Sequence, residues 1–145
     1  MKTRIVQKAI VVNPMGEMLM LRRSATDERR PLDWDLPGGL FEKGEELRQS
    51  IEREIDEETG LSVTDVLPIY SKTEIRNFKK AGREYTENVL FIFYSAKAQS
   101  TDVKLSFEHD KFQWKAITEA VKEFEYYLHK DTLNHIIKNE LLTTS

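Results

Sequence analysis

The sequence predicts an α/β fold in which a mixed β-sheet is sandwiched by helices. Three observations predict it: β-branched stretches recur along the chain, one strongly patterned helix sits near its middle, and helical periodicity occupies its end. At 145 residues, one domain spanning residues 1–145 is the expectation.

Each element has its own signal. Residues 4–12 are rich in Ile and Val and read as a strand. Asn13-Pro14-Met15-Gly16 is turn chemistry, and residues 18–21 read as the second strand of a hairpin. Residues 24–33 are polar and carry Pro31, as an exposed loop does; residues 34–36 suit a short strand ending at the sharp turn Pro37-Gly38-Gly39. Residues 45–59 form the clearest helix. Leu47, Ile51 and Ile55 repeat at four-residue spacing, Glu45 and Glu46 suit the positive end of the helix dipole, and Gly60 sits where a left-handed C-cap is wanted, with Leu61 packing back on Ile55. A strand over 62–75, broken near Pro68, leads to a basic loop over 76–84. Residues 85–98 contain the apolar run of a buried central strand, 99–108 read as loop, and 111–115 as a last strand. Two helices are expected over 117–128 and 131–142.

Bulk properties exclude several classes. A net charge of −3 disfavours a nucleic-acid polymer as partner, because such binders need excess Lys and Arg to displace counterions. No apolar run approaches the roughly 20 residues that span a bilayer, so no membrane is expected. The absence of cysteine removes disulfides and thiolate metal sites and fits a reducing, cytoplasmic setting. The apolar strand edges leave room for a homodimer.

The chemistry concentrates on the central helix. Glu54, Glu57 and Glu58 stand at i, i+3 and i+4 and so share one arc of the helix surface. Like charges at this spacing destabilise a helix, and they sit near its C-terminal end, where the dipole also disfavours anions. A hard cation such as Mg²⁺ or Mn²⁺, bound through carboxylate oxygens, would offset that cost. An ordinary solvated acidic face accounts for the same three residues. Pro37-Gly38-Gly39 adds a second signal, since glycines there let backbone approach an ion or a phosphate closely.

Gly39, five residues, Glu45, seven residues, then Arg53-Glu54-Ile55-Asp56-Glu57-Glu58-Thr59-Gly60-Leu61 resembles a complete Nudix box, with every specified position filled. Seven identities in one frame arise by chance on the order of 10⁻⁸ per window at average residue usage. The resemblance implies the family's α-β-α sandwich and a Mg²⁺-dependent hydrolase that splits the diphosphate of a nucleoside diphosphate linked to another group. It also implies that Glu54, Glu57 and Glu58 ligate the metal together with the Gly39 carbonyl. Glu45 and Arg53 would brace loop against helix, and Gly60 would close the helix. The water's proton would go to Glu54, to Glu58 or to a later glutamate, for which Glu108 is the leading choice and Glu87 a weaker one.

Substrate binding is expected from Gly38 and Gly39 and from one of Arg22 and Arg23, since alternation points neighbours in a strand to opposite faces. The basic stretch of Arg76, Lys79, Lys80 and Arg83 is a phosphate guide or a solvated hairpin tip. Trp34, Phe78, Tyr85 and Trp114 offer stacking surfaces or core. The three histidines do not cluster in sequence and receive no role. Phe107-Glu108-His109-Asp110 followed by Trp114 resembles a segment of family members acting on nucleoside triphosphates or dinucleoside polyphosphates, which leans the expectation towards a small nucleoside triphosphate. The other reading is a Nudix-fold nucleotide-binding or sensing module without turnover; RNA decapping is disfavoured by charge and length.

Overall fold

The computed structural model describes residues 2–142. In chain order the elements are β1 (Lys2–Val12), β2 (Met18–Arg23), β3 (Trp34–Asp35), β4 (Gly38–Leu40), α1 (Leu47–Thr59), β5 (Val63–Lys80), β6 (Arg83–Ala98), β7 (His109–Lys115), α2 (Ile117–Ala120) and α3 (Tyr127–Lys138). Among the described residues the seven strands form one sheet in the order β3-β2-β1-β6-β5, with β4 added to β1 and β7 to β2. β1 and β6 run parallel and the other pairs antiparallel, so the sheet is mixed.

Alternation along the strands builds two cores, one on each face. Ile10, Met18, Met20, Val89, Phe91 and Phe93 face Phe124, Leu128, Leu133 and Ile136 from the C-terminal segment and α3. Ala9, Val11, Leu19, Leu21, Tyr94 and Ala96 face Ile51 and Ile55 of α1. The expected sandwich of a mixed sheet between helices is therefore the observed one. No helix among the described residues is long and apolar enough to cross a membrane.

β1 explains where the site forms. It meets β2 through Val12 and Met18 beside the turn, where the Asn13 side-chain oxygen accepts the amides of Met15 and Glu17. Further back, β4 lies beside β1, Gly38 opposite Lys8 and Gly39 opposite Gln7. The Pro-Gly-Gly turn of the sequence is thus half turn and half strand.

Other expectations need correction. α1 begins at Leu47, so Glu45 and Glu46 precede its first turn; Glu46 is the N-cap, its amide donating to the Gln49 side chain at 3.3 Å. Gly60 does close the helix, at φ 72 with its amide on the Asp56 carbonyl. The basic loop expected over 76–84 is instead the end of a long hairpin, with Asn77, Phe78 and Lys79 paired to Thr86, Tyr85 and Glu84. Only Ala81 and Gly82 turn, both at positive φ, as a twisted two-residue hairpin turn demands. The helix expected over 117–128 stops at Ala120. Val121, Phe124, Tyr126 and Leu128 all pack on the core at spacings that one helix cannot bury together. α3 then begins at Tyr127, through the gap expected before residue 131, and ends at Lys138 rather than at 142.

Candidate active site

Glu58, on the last turn of α1, is turned inward and nearly solvent-free, and its Oε1 accepts the Gly38 amide at 2.7 Å. Burial pushes its carboxyl up to about 8, against the opposing pull of Lys8 and the Gly38 hydrogen bond. His109 Nδ1 lies 3.9 Å from the other carboxylate oxygen and has no hydrogen-bond partner. Burial lowers the His109 imidazole to about 4, so it is neutral beside Glu58.

Glu54 lies against Gly39. A Cβ built on Gly39 would fall 2.8 Å from Glu54 Oε2, so only glycine leaves this carboxylate room beside β4. Burial raises the Glu54 pKa; Arg53 opposes that rise, and the charges of Glu57 and Glu108 add to it. Glu108 therefore belongs to the same electrostatic cluster, although it lies far along the chain. It is held by its backbone: its amide donates to Ser106 Oγ and its carbonyl accepts from Ser24.

Arg53 ties the loop to the helix. Its Nε and Nη2 grip Glu45 at 2.9 and 3.0 Å, Nη1 reaches Glu57 at 3.1 Å and Nη2 also reaches Glu54 at 3.3 Å. Among the described residues, no three Asp, Glu or His side chains converge as a ready metal-binding group. Glu57 is drawn outward to Arg53 while Glu58 is drawn inward to Gly38. The local chemistry nevertheless fits a hard cation. Two partly or fully buried carboxylates are made unfavourable as free anions, and a side-chain-free backbone lies against one of them.

A cavity of about 380 Å³ opens from Gly39 across the sheet face. Arg4, Lys8, Arg23, Arg29, Arg30 and Arg76 line it, with Val6, Val89, Phe91 and Tyr126 as apolar wall. Most of these cations are already paired with carboxylates: Arg4 with Glu87, Lys8 and Arg23 with Asp35, Arg30 with Asp33 and Arg76 with Glu74. Beneath the cavity lies Asp35, only 1% exposed. Its Oδ2 takes Arg23 at 2.7 Å, Lys8 at 3.3 Å and Arg30 at 3.4 Å, while Oδ1 meets His129 Nε2 at 2.6 Å. Burial would raise this carboxyl, but Lys8, His129 and Arg30 hold it well below the usual carboxylate range. A second hollow of about 390 Å³ shares Arg23 and Arg29 and adds Phe107 and Glu108.

Of the two arginines expected at the site, Arg23 lines both hollows, whereas Arg22 turns to Asp110 in a two-pronged pair at 2.8 Å. Lys8, Asp35, Arg30, Tyr126, His109 and His129 were not singled out by the sequence. Of these, only Lys8 carried a signal, as the polar residue within the apolar stretch of β1.

Residues 2–135 match the model of the NUDIX domain. This chain belongs to the Nudix family. Among similar Nudix proteins, the nucleoside triphosphatase NudI of Escherichia coli O81 is 27% identical over 117 residues, 79% of this chain and 82% of that protein. The NudI of Shigella flexneri serotype 5b is 26% identical over the same share. Among solved structures, the MutT protein of Methanosarcina mazei superposes with a TM-score of 0.74 at 27% identity, covering 96% of both chains. The Escherichia coli ORF135 protein, at 21% identity, shares the fold with a TM-score of 0.68 over 95% of this chain and 91% of that one. The chain is accordingly an enzyme of the Nudix hydrolase class, whose members act on nucleoside diphosphate derivatives and generally use divalent cations.

Proposed function

We propose that this chain is a Mg²⁺-dependent, cytoplasmic diphosphohydrolase of a small nucleotide, acting as a single Nudix domain, and that its substrate is a nucleoside triphosphate, hydrolysed to a nucleoside monophosphate and diphosphate. The observation that carries this reading is the position of Gly39, which both borders the cationic cavity and abuts Glu54. A polyphosphate seated on the cations is thereby brought to the acidic cluster. The relatives named as nucleoside triphosphatases support the choice of substrate.

In this reading Glu54, Glu57, Glu58 and the Gly39 carbonyl hold the cation, Mg²⁺ or Mn²⁺, which when bound neutralises charge on the diphosphate. Arg23 and Lys8, pinned by Asp35, bind the phosphate oxygens without having to reorganise. Gly38 keeps Glu58 in place through its amide. Glu108, exposed at the mouth of the second hollow, takes the proton of the attacking water. Arg53 acts by position, holding the loop at Glu45 against α1 and reaching Glu54 and Glu57.

The test is phosphate release, coupled through added pyrophosphatase, from a panel of nucleoside triphosphates, nucleotide sugars, ADP-ribose and dinucleoside polyphosphates, with Mg²⁺ or with EDTA. Metal-dependent turnover concentrated on triphosphates is the expected result. Folded protein that binds a nucleotide without Mg²⁺ and never cuts it would instead make the fold a sensing module.

A further inference from the structure

Among the residues lining the cationic cavity, Glu87 is the one acid. A carboxylate repels phosphate, so its presence needs a different partner. Its place in the sheet supplies one. Arg4, Val6 and Lys8 occupy one face of β1, and the register sets them beside Val89, Phe91 and Phe93 of β6, with Glu87 opposite Lys2. Lys8 and Gly39 mark the phosphate end. Arg4 stands four residues away, about 13 Å along the strand. There Arg4 Nε meets Glu87 Oε2 at 3.2 Å, with Glu87 nearly buried. Between the two ends lie the apolar side chains of Val6, Val89 and Phe91. Arg76 stands opposite Glu87 on β5, but its guanidinium is drawn away from that carboxylate. It is held by Glu74 and by the Tyr126 hydroxyl and lies over the Phe91 ring.

Accepting the nucleotide reading of the site, we propose that Glu87, steered by Arg4, determines specificity by reading the nucleobase edge, and that the base is guanine. A carboxylate only accepts hydrogen bonds and a guanidinium only donates them. Guanine offers a ring N1–H beside its 2-amino group, two adjacent donors for the two Glu87 oxygens, and then O6 as an acceptor for the remaining Arg4 N–H groups. Adenine and cytosine place a ring acceptor beside their amino group, which a carboxylate repels. Uracil and thymine flank a single N–H with two acceptors.

The experiment compares kcat/KM for dGTP, dITP, dATP and dCTP in the wild-type enzyme and in Glu87→Gln. dITP differs from dGTP only by lacking the 2-amino group. The wild-type enzyme is expected to favour dGTP over dITP by about tenfold or more, the worth of one hydrogen bond to a charged group. In Glu87→Gln that ratio falls towards one, with the loss carried by KM. A wild-type enzyme that hydrolyses all four at similar rates overturns the proposal and leaves the hydrolase reading standing; this comparison needs no variant to fold. A Glu87→Gln enzyme that loses kcat on every nucleotide alike while keeping the dGTP preference also overturns it. If no nucleotide is hydrolysed by the folded wild-type protein, the nucleotide reading itself falls and takes this proposal with it.

Discussion

Asp35 and His129 meet at 2.6 Å with both side chains sealed from solvent, joining β3 to α3 across 94 positions of sequence. The imidazole is packed edge-on against Phe93, Phe124 and Tyr126. The same carboxylate pairs with Lys8, Arg23 and Arg30 from below. One buried anion thus fixes both the C-terminal helix and the floor of the cavity.

Asp35→Asn should therefore be among the most damaging single changes. It leaves clustered cations without their counter-charge, and breaking a buried pair in this way costs about 3–5 kcal/mol. Urea denaturation measures it. A loss under about 1 kcal/mol would mean that solvent or other groups already carry this charge.

Above about pH 4.5 the pH dependence of the metal-free fold comes from His109, His129 and Glu58, with Glu54 shifted in the same direction as Glu58. His109 and His129 are lowered by burial, so their unfolded forms bind protons that the folded protein refuses. The stability they contribute is complete above about pH 6.5, the unfolded histidine value, and falls as pH drops below it, for His109 down to about 4. Glu58 is raised by burial to about 8, so its folded form keeps a proton that the unfolded form loses above about 4.5. Its stability is complete below that value and is lost as pH rises to 8. The two histidines oppose the raised carboxylates between about pH 4.5 and 6.5, and above that the carboxylates act unopposed, Glu58 at no more than about 1.4 kcal/mol per pH unit. Metal-free protein should be most stable near pH 6.5, and Mg²⁺ should remove the decline on the alkaline side. Chemical denaturation at half-unit pH steps, with EDTA and with Mg²⁺, reads this directly. A steady rise through pH 8 in EDTA would contradict it.

The two adjacent glycines separate structure from chemistry. A Cβ on Gly38, which has φ 141, would fall 2.0 Å from the Gln7 carbonyl oxygen, so Gly38→Ala should unfold or gravely destabilise the protein. A Cβ on Gly39 meets only the end of the Glu54 side chain. Gly39→Ala should keep a nearly normal melting temperature and lose turnover by displacing Glu54. Equal melting losses in the two variants would count against this division.

Arg53→Ala should harm both stability and rate, because it frees the loop at Glu45 and removes the cation beside Glu54 and Glu57. The pairs are part-exposed, so the stability loss should be about 1 kcal/mol. Glu45→Gln touches only the brace, and should cost stability with a smaller effect on rate. Thermal melts alongside turnover distinguish the two variants.

The candidate carboxylates could be picked out because they lie on one helix, where spacing puts Glu54, Glu57 and Glu58 on one arc; that spacing does not show that Glu57 turns outward to Arg53 and Glu58 inward to Gly38. The cationic part could not be picked out. Lys8, Asp35 and Tyr126 come from separate elements and meet only through the strand register. His129 gave no signal because its partner is distant in sequence. Between residues 76 and 84 polarity misled: both faces of that hairpin are largely in solvent, so its strands carry the composition of a loop. The C-terminal helices were misjudged where Tyr126, out of helical phase with Phe124 and Leu128, packs on the same core.

The most direct test of the central claim is turnover by Glu57→Gln, measured as coupled phosphate release from nucleoside triphosphates with Mg²⁺, beside a thermal melt. Glu57 is exposed and touches only Arg53, so the fold should tolerate the change. Loss of at least about a hundredfold in rate with an unaltered melt is the predicted result. Wild-type turnover in this variant would contradict the assignment of the helix carboxylates as the cation site.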